Sequence, residues 1–375
     1  MQTFSNKIAI AIVIPFIYNI RVHRRKDFMK LSFRWYGLTD SIPLTYIRQI
    51  PNMYSVVTSV YDKKPGEVWD KESLLALKEA SEKHGLKMEV IESIPVSEDI
   101  KMASPKRDEH IDAFRKNLAL CGEVGVKCVC YNFMPVFDWL RTNMHHKNKD
   151  YSESLSYSAD DFAKVDPHNL HLPGWDESYS PDELQSLLKI YQGISHEEYF
   201  NNLVYFLKAI QDVLDQYDIN MAIHPDDPPW DIFSLPRIVS NEKDLDKMFE
   251  AVPNKHNGLT LCTGSFGASK KNDVPHMAMK YAKEGRIYFA HLRNVLYTDD
   301  KDSFVEVGHY SGSGSLDMYK IVENLVNNGF DGYVRPDHGR NIFGESDKPG
   351  YGLYDRALGC AYINGLFEAA EKNRK

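Results

Sequence analysis

Asp331-Gly-Tyr-Val-Arg-Pro-Asp-His-Gly339 opens like a buried strand and closes in a cluster of polar groups. Tyr333 and Val334 suit a strand, Pro336 cannot donate to a sheet ladder, and Gly339 permits a sharp turn. A strand that stops at Asp337 and His338 delivers a carboxylate and an imidazole to the rim of a sheet. Three other apolar runs end the same way: Met221-Ala-Ile-His224, Leu259-Thr-Leu-Cys262 and Ile287-Tyr-Phe-Ala-His291. Four strand ends therefore carry His, Cys, His and Asp in chain order.

Outward from these ends, strand and helix alternate from Met29 onward. The patterns predict strands at 31–35, 54–58, 87–91, 127–131, 219–223, 258–262, 287–291 and 332–335. Helices are expected over 71–84, 108–124, 196–217, 273–284, 315–328 and 353–371. Asp70 and the Ser195/Glu198 pair read as helix N-caps, and Gly85 as a C-cap. Eight such units predict an α/β protein, a (β/α)8 TIM barrel with a long insertion after strand 4. A doubly wound open sheet is the alternative.

The insertion is 134–195, far beyond the roughly 2–6 residues of an ordinary barrel loop. It carries Phe137, Trp139, His145, His146, Tyr151, Tyr157, His168, His171 and Trp175. A lid over a hydrophilic ligand and an oligomer contact both suit that composition. At the N-terminus, the apolar run 8–20 is interrupted by Pro15 and followed by Arg21-Val-His-Arg-Arg-Lys26. It is shorter than the ~20 residues a spanning helix needs, and its charge follows the apolar core rather than preceding it as in a signal peptide. Residues 1–28 are expected to be an extension outside the core, and 29–375 one catalytic domain.

Composition narrows the function. Of 375 residues, 43% are hydrophobic and 26% charged, as in ordinary globular chains. The net charge of -8 argues against nucleic acid, whose phosphates need a basic surface. The five cysteines form no CxxC pair, which suits reduced thiols in the cytoplasm.

In a TIM barrel all strand C-termini face one side, where catalytic groups collect. His224, Cys262, His291 and Asp337 would then meet at neighbouring strands. Two imidazoles, a thiolate and a carboxylate make a divalent-metal set with positions left for substrate. Ligand type alone leaves Zn²⁺ and Fe²⁺ open as well. Glu92, ending strand three, is a spare ligand.

Longer strings carry a family resemblance: Phe33-Arg-Trp-Tyr-Gly37, Tyr131-Asn-Phe-Met-Pro-Val-Phe-Asp-Trp139, His224-Pro-Asp-Asp-Pro-Pro-Trp230, Leu261-Cys-Thr-Gly-Ser265, His291-Leu-Arg-Asn-Val295, Arg335-Pro-Asp-His-Gly339 and Gly350-Tyr-Gly-Leu-Tyr-Asp-Arg356. Through them the chain, from about residue 29 onward, resembles the mannonate dehydratases. The resemblance implies a xylose-isomerase-like barrel that dehydrates D-mannonate in hexuronate breakdown. It also implies Mn²⁺, with Fe²⁺ as an alternative, on the same four ligands.

Dehydration removes the C2 proton and expels the C3 hydroxyl, so a base and an acid are needed beside the metal. His338, next to Asp337, and Tyr351, on the glycine-rich turn after the last strand, are the candidates; the resemblance points to this His and to a Tyr in this turn. Tyr354 lies close enough in sequence to be an alternative. Arg34 and Arg293 are candidates for holding the substrate carboxylate, and Asn132, Asn294 and His309 for reading its hydroxyls. Ser311-Gly-Ser-Gly-Ser315 reads as a weak phosphate-cradle motif or a flexible loop with a Ser cap. The expected partners are a small sugar-acid substrate and further copies of the chain, as a homodimer or higher homo-oligomer, with no nucleic acid and no membrane. Two rival readings are a sugar isomerase or epimerase on the same barrel, and a non-enzymatic metal or sugar-acid-binding protein.

Overall fold

The computed structural model describes residues 29–165, 180–346 and 348–374. The extension expected over 1–28, and His168, His171 and Trp175 of the insertion, lie outside them. The described strands are, in chain order, β1 (Lys30–Arg34), β2 (Ser55–Thr58), β3 (Lys87–Glu92), β4 (Cys128–Tyr131), β5 (Asn143–Lys147), β6 (Glu153–Tyr157), β7 (Asn220–Ile223), β8 (Asn257–Cys262), β9 (Ile287–His291), β10 (Asn294–Tyr297), β11 (Phe304–Val307) and β12 (Tyr333–Arg335). Eight of them close a parallel barrel in the order β1-β12-β9-β8-β7-β4-β3-β2. The open-sheet alternative is thereby excluded, since β1 pairs with both β12 and β2.

Parallel strands covered by helices must be apolar on both faces, and β2, β4 and β8 are buried at every residue. Val57, Val90, Cys128, Cys130, Ala222, Phe289 and Tyr333 fill the barrel interior. Register then places the chemistry. Cys262 stands opposite His291, and His291 opposite Arg335, so three adjacent strands deliver their last side chains to one layer.

The insertion holds two strands that the sequence patterns did not reveal. Together with the hairpin after β9 they form a second, antiparallel sheet in the order β10-β11-β6-β5. Helix ends differ in detail from expectation. Ser195 and Glu198 form a reciprocal capping box, and Gly85 closes its helix at φ +70°. Asp70 makes no cap bond; its carboxylate pairs with Lys63 at 2.7 Å instead. The helix expected over 196–217 breaks at Ile210 into His196–Ala209 and Gln211–Tyr217. The helix after the glycine-serine loop starts at Met318 and is capped by Asp317, not by a serine. Among the described residues no helix is long and apolar enough to cross a membrane.

Gly332 enters β12 where backbone approaches backbone, and a Cβ there would stand 2.6 Å from the Tyr288 carbonyl oxygen. The Phe330 ring, 2.7 Å away, can turn, but the Tyr288 carbonyl is backbone, so relief requires moving β12 against β9. We expect Gly332→Ala to cost about 1–3 kcal/mol, as overpacking does, read from the denaturant midpoint; an unchanged midpoint would show that the strand shifts freely.

Candidate active site

Each metal-ligand candidate leaves its strand where the apolar run ends. His224 follows β7, Cys262 and His291 close β8 and β9, and Asp337 lies two residues beyond β12. Ligand atoms of His224, Cys262 and His291 lie within 4.8 Å of one another. Asp337 joins them, with Oδ2 3.4 Å from Cys262 Sγ and Oδ1 3.8 Å from His291 Nδ1. Its backbone takes the left-handed region at φ +60°, which turns the carboxylate back over the barrel mouth. Cys262, His291 and Asp337 are buried and His224 is half-buried, so the cluster opens on one side only. The donor set fits a divalent cation. A second triad, Glu92, Cys130 and His291, is also close enough. There, Arg335 bonds both Glu92 Oε1 at 2.8 Å and His291 Nε2 at 3.0 Å, so a guanidinium already serves those acceptors. Glu92, the spare ligand expected from sequence, thus pairs with Arg335 in this structure.

Around the cluster runs a buried ion lattice. Arg293 donates to Asp337 Oδ2 at 2.7 Å, to Asp227 Oδ2 at 2.7 Å and to Ser265 Oγ at 3.1 Å, and lies 3.0 Å from Glu306 Oε1. Arg141 forks onto Asp227 at 2.8 and 3.0 Å and donates to Glu306 Oε1 at 2.6 Å. Ser265 donates to Cys262 Sγ at 3.0 Å. Burial alone would raise the carboxyls of Asp337 and Asp227. Arg335, His338, His291 and Arg293 hold the first well below the usual carboxylate range, and Arg141 and Arg293 lower the second. Burial would likewise raise Glu306, but Arg293, His338 and Arg141 outweigh it and hold it at about 2.

The acid–base pair expected from sequence does meet. His338 Nε2 lies 3.0 Å from the Tyr351 hydroxyl, and its Nδ1 faces Glu306 Oε2 at 2.9 Å. Burial, with Tyr36 beside it, keeps the Tyr351 phenol well above its ordinary pKa. Tyr354, the alternative, is exposed and packs on Phe343, away from this pair. Arg34 lies at the mouth between the Tyr36 and Tyr61 rings. Its Nε and Nη1 are buried without a hydrogen-bond acceptor, although Nη1 stands 3.4 Å from Glu92. Asn132 is half-buried just beyond β4. The remaining candidates turn inward. Arg293 is taken up by the lattice, Asn294 bonds Tyr310 O and Leu316 N, and His309 Nε2 bonds Pro336 O at 2.6 Å. Their polar atoms shape the loops behind the site. Sequence reasoning passed over Glu306, Arg141 and Asp227, which give no local strand-end signal, and over Arg335, although it ends β12.

Arg141 is fully buried, and its loss would leave Asp227 and Glu306 to share Arg293, with only His338 beside Glu306 in addition. Arg141→Met should therefore cost about 3–5 kcal/mol, the range for breaking a buried pair. The acid limb gives the sign. The Glu306 pKa is depressed on folding, so its stabilisation is complete above its unperturbed value of 4.5 and is lost as pH falls toward about 2. Wild type should lose stability across that window, and the variant at higher pH; equal acid midpoints in circular dichroism would refute the lattice's role.

The sequence profile of the family described as D-mannonate dehydratase (UxuA) matches residues 29–375. The mannonate dehydratase 2 of Halalkalibacterium halodurans is 48% identical over 343 residues, which is 91% of this chain and 99% of that protein. The mannonate dehydratase of Thermotoga maritima is 47% identical over 359 residues, 92% of this chain and 99% of its own length. The crystal structure of the Streptococcus suis serotype 2 mannonate dehydratase superposes with a TM-score of 0.86 at 44% identity, covering 92% of this chain and 95% of that one. A xylose isomerase domain protein of Alicyclobacillus acidocaldarius, 12% identical with a TM-score of 0.56 over 92% of this chain and 99% of its own, shares the barrel fold. By profile, by sequence and by fold, this chain belongs to the D-mannonate dehydratase family.

Proposed function

We propose that this chain is a hydro-lyase that converts D-mannonate to 2-keto-3-deoxy-D-gluconate and water, a step of hexuronate breakdown. The observation that carries the reading is the His338–Tyr351 pair beside the ligand cluster, with His338 Nε2 3.9 Å from Asp337 Oδ1. His224, Cys262, His291 and Asp337 would hold the cation, for which we propose Mn²⁺, with Fe²⁺ as the alternative. When bound, that cation supplies a Lewis acid to offset the charge that develops beside the substrate carboxylate.

The rest falls to the chain. Arg34 offers its unanswered Nε and Nη1 to the substrate's carboxylate or hydroxyls, with Asn132 beside it. Arg293, Asn294 and His309 position the loops that carry these groups. The Tyr351 phenol, held protonated by its raised pKa, is the acid, and His338 is the base. His338 Nε2 takes the C2 proton, and Tyr351 gives its proton to the C3 hydroxyl, which leaves as water. The C2–C3 enol then moves its hydroxyl proton to C3 and becomes the 2-keto acid. His338 returns its proton to the Tyr351 oxygen across the 3.0 Å contact, and the cycle closes. We place the reaction in the cytoplasm, where five free, buried cysteines would stay reduced. The exposed Tyr151 and Phe343 offer a contact face for a homo-oligomer.

Protein stripped of metal and reloaded with Mn²⁺ should form a 2-keto-3-deoxy acid from D-mannonate. His338→Asn and Tyr351→Phe should each lower kcat by ~10²–10⁴, the usual worth of general acid–base catalysis, and Cys262→Ala should abolish product formation at Mn²⁺ concentrations that saturate the wild type. Turnover surviving both the His338 and Tyr351 changes would overturn the acid–base assignment. An isomerised or epimerised product in place of the dehydrated one would overturn the reaction.

A further inference from the structure

The second sheet has no place in the barrel's own construction, yet it is built against the catalytic face. β11 runs Phe304-Val-Glu-Val307, and its first three residues are buried, the glutamate included. A buried carboxylate is costly unless it is answered by charge and hydrogen bonds. Glu306 is answered asymmetrically. Its Oε1 accepts from Arg141 Nε at 2.8 Å and Nη2 at 2.6 Å, and lies 3.0 Å from Arg293 Nη1. Its Oε2 lies nearest His338 Nδ1, at 2.9 Å, and that nitrogen also stands 3.1 Å from Oε1.

We propose that Glu306 is a positioning residue that fixes the tautomer of His338, holding the proton of the neutral ring on Nδ1 so that Nε2 presents a lone pair toward Tyr351 and the reacting carbon. The inference rests on the reading of His338 as the base. A carboxylate can only accept, so the ring nitrogen facing it must carry hydrogen. The two guanidiniums cannot donate to His338 in its place, because both are turned onto Oε1 and onto Asp227. Trp139 packs on the imidazole edge at 5.7 Å between centroids and limits its rotation. Free imidazole favours the opposite tautomer, with hydrogen on Nε2, which would leave no lone pair for the C2 proton. Arg141 precedes β5 in the insertion, Glu306 lies on β11, and β6 joins the two. The second sheet is thus the frame that brings the carboxylate and its counter-charge to the histidine.

Glu306→Gln tests this with little change of shape. The arginines will draw the amide oxygen into the Oε1 position, so the amide nitrogen faces Nδ1 and donates to it. The nearer neighbour of Nδ1 is then a donor, which favours the ring with its hydrogen on Nε2. Nitrogen-15 spectra of histidine-labelled, metal-free protein under alkaline conditions, assigned with His338→Asn, should show the Nδ1–H form in wild type and the Nε2–H form in Glu306→Gln. With Mn²⁺ and D-mannonate, kcat should fall ~10²–10⁴-fold while KM changes less than ~3-fold, since the lost function is proton transfer. An Nε2–H ring in the wild-type protein would overturn the inference without any variant, and this outcome serves if Glu306→Gln does not fold. An unchanged tautomer with kcat within ~3-fold in Glu306→Gln would overturn it as well. Unimpaired turnover by His338→Asn would instead overturn the reading of His338 as base, whatever the tautomer.

Discussion

The site depends on a buried lattice of opposite charges. Four guanidiniums, from Arg34, Arg141, Arg293 and Arg335, face four carboxylates, from Glu92, Asp227, Glu306 and Asp337. Taking such groups out of water costs several kcal/mol for each ion, and only close hydrogen-bonded geometry repays it. The lattice is therefore all or nothing. It aims Asp337 at the proposed cation site from one side and holds Glu306 against His338 on the other. The proposed metal ligands and proton-transfer groups share one set of supports, and Arg293 is the member common to both.

That arrangement gives the two sheets distinct tasks. The barrel brings the four ligand candidates together by closing, and register sets Cys262, His291 and Arg335 side by side. A barrel rim alone leaves its side chains in contact with water, where ion pairs are worth little. The second sheet covers that rim and lowers the local dielectric. The same hydrogen bonds then hold the side chains in one orientation, as a catalytic constellation requires. Tyr351 reaches the site from the turn before the last helix. Its hydroxyl meets His338 because Gly339 N bonds Gly350 O at 2.8 Å and folds the intervening loop back on itself.

The parts legible in the sequence were those with a local signal. His224, Cys262, His291 and Asp337 each stand where an apolar run stops, and that pattern of hydrophobicity marks a strand end in any context. Tyr351 was legible as a candidate, but its separation from Tyr354 was not: three residues apart, one faces His338 and the other is exposed. Arg293 and Asn294 follow His291 directly and read as substrate ligands for that reason. The fold instead turns them inward, onto Asp337 and onto the 310–316 loop. Asp70 reads as a cap, but a nearby lysine competes for its carboxylate and wins.

By itself the sequence determined the eight-strand barrel and the residue types that line its mouth, because hydrophobic periodicity and side-chain type are written residue by residue. Only the tertiary structure decided what Glu306 and Arg141 do. They lie 165 residues apart in sequence, and each reads locally as a lone surface charge, Glu306 within the apolar Phe304–Val307 run and Arg141 in a loop. Their burial arises when β11 pairs with β6 and the insertion closes over the barrel. Charge pairing across such a span has no local signature, since it depends on which distant segments come to share a low-dielectric space.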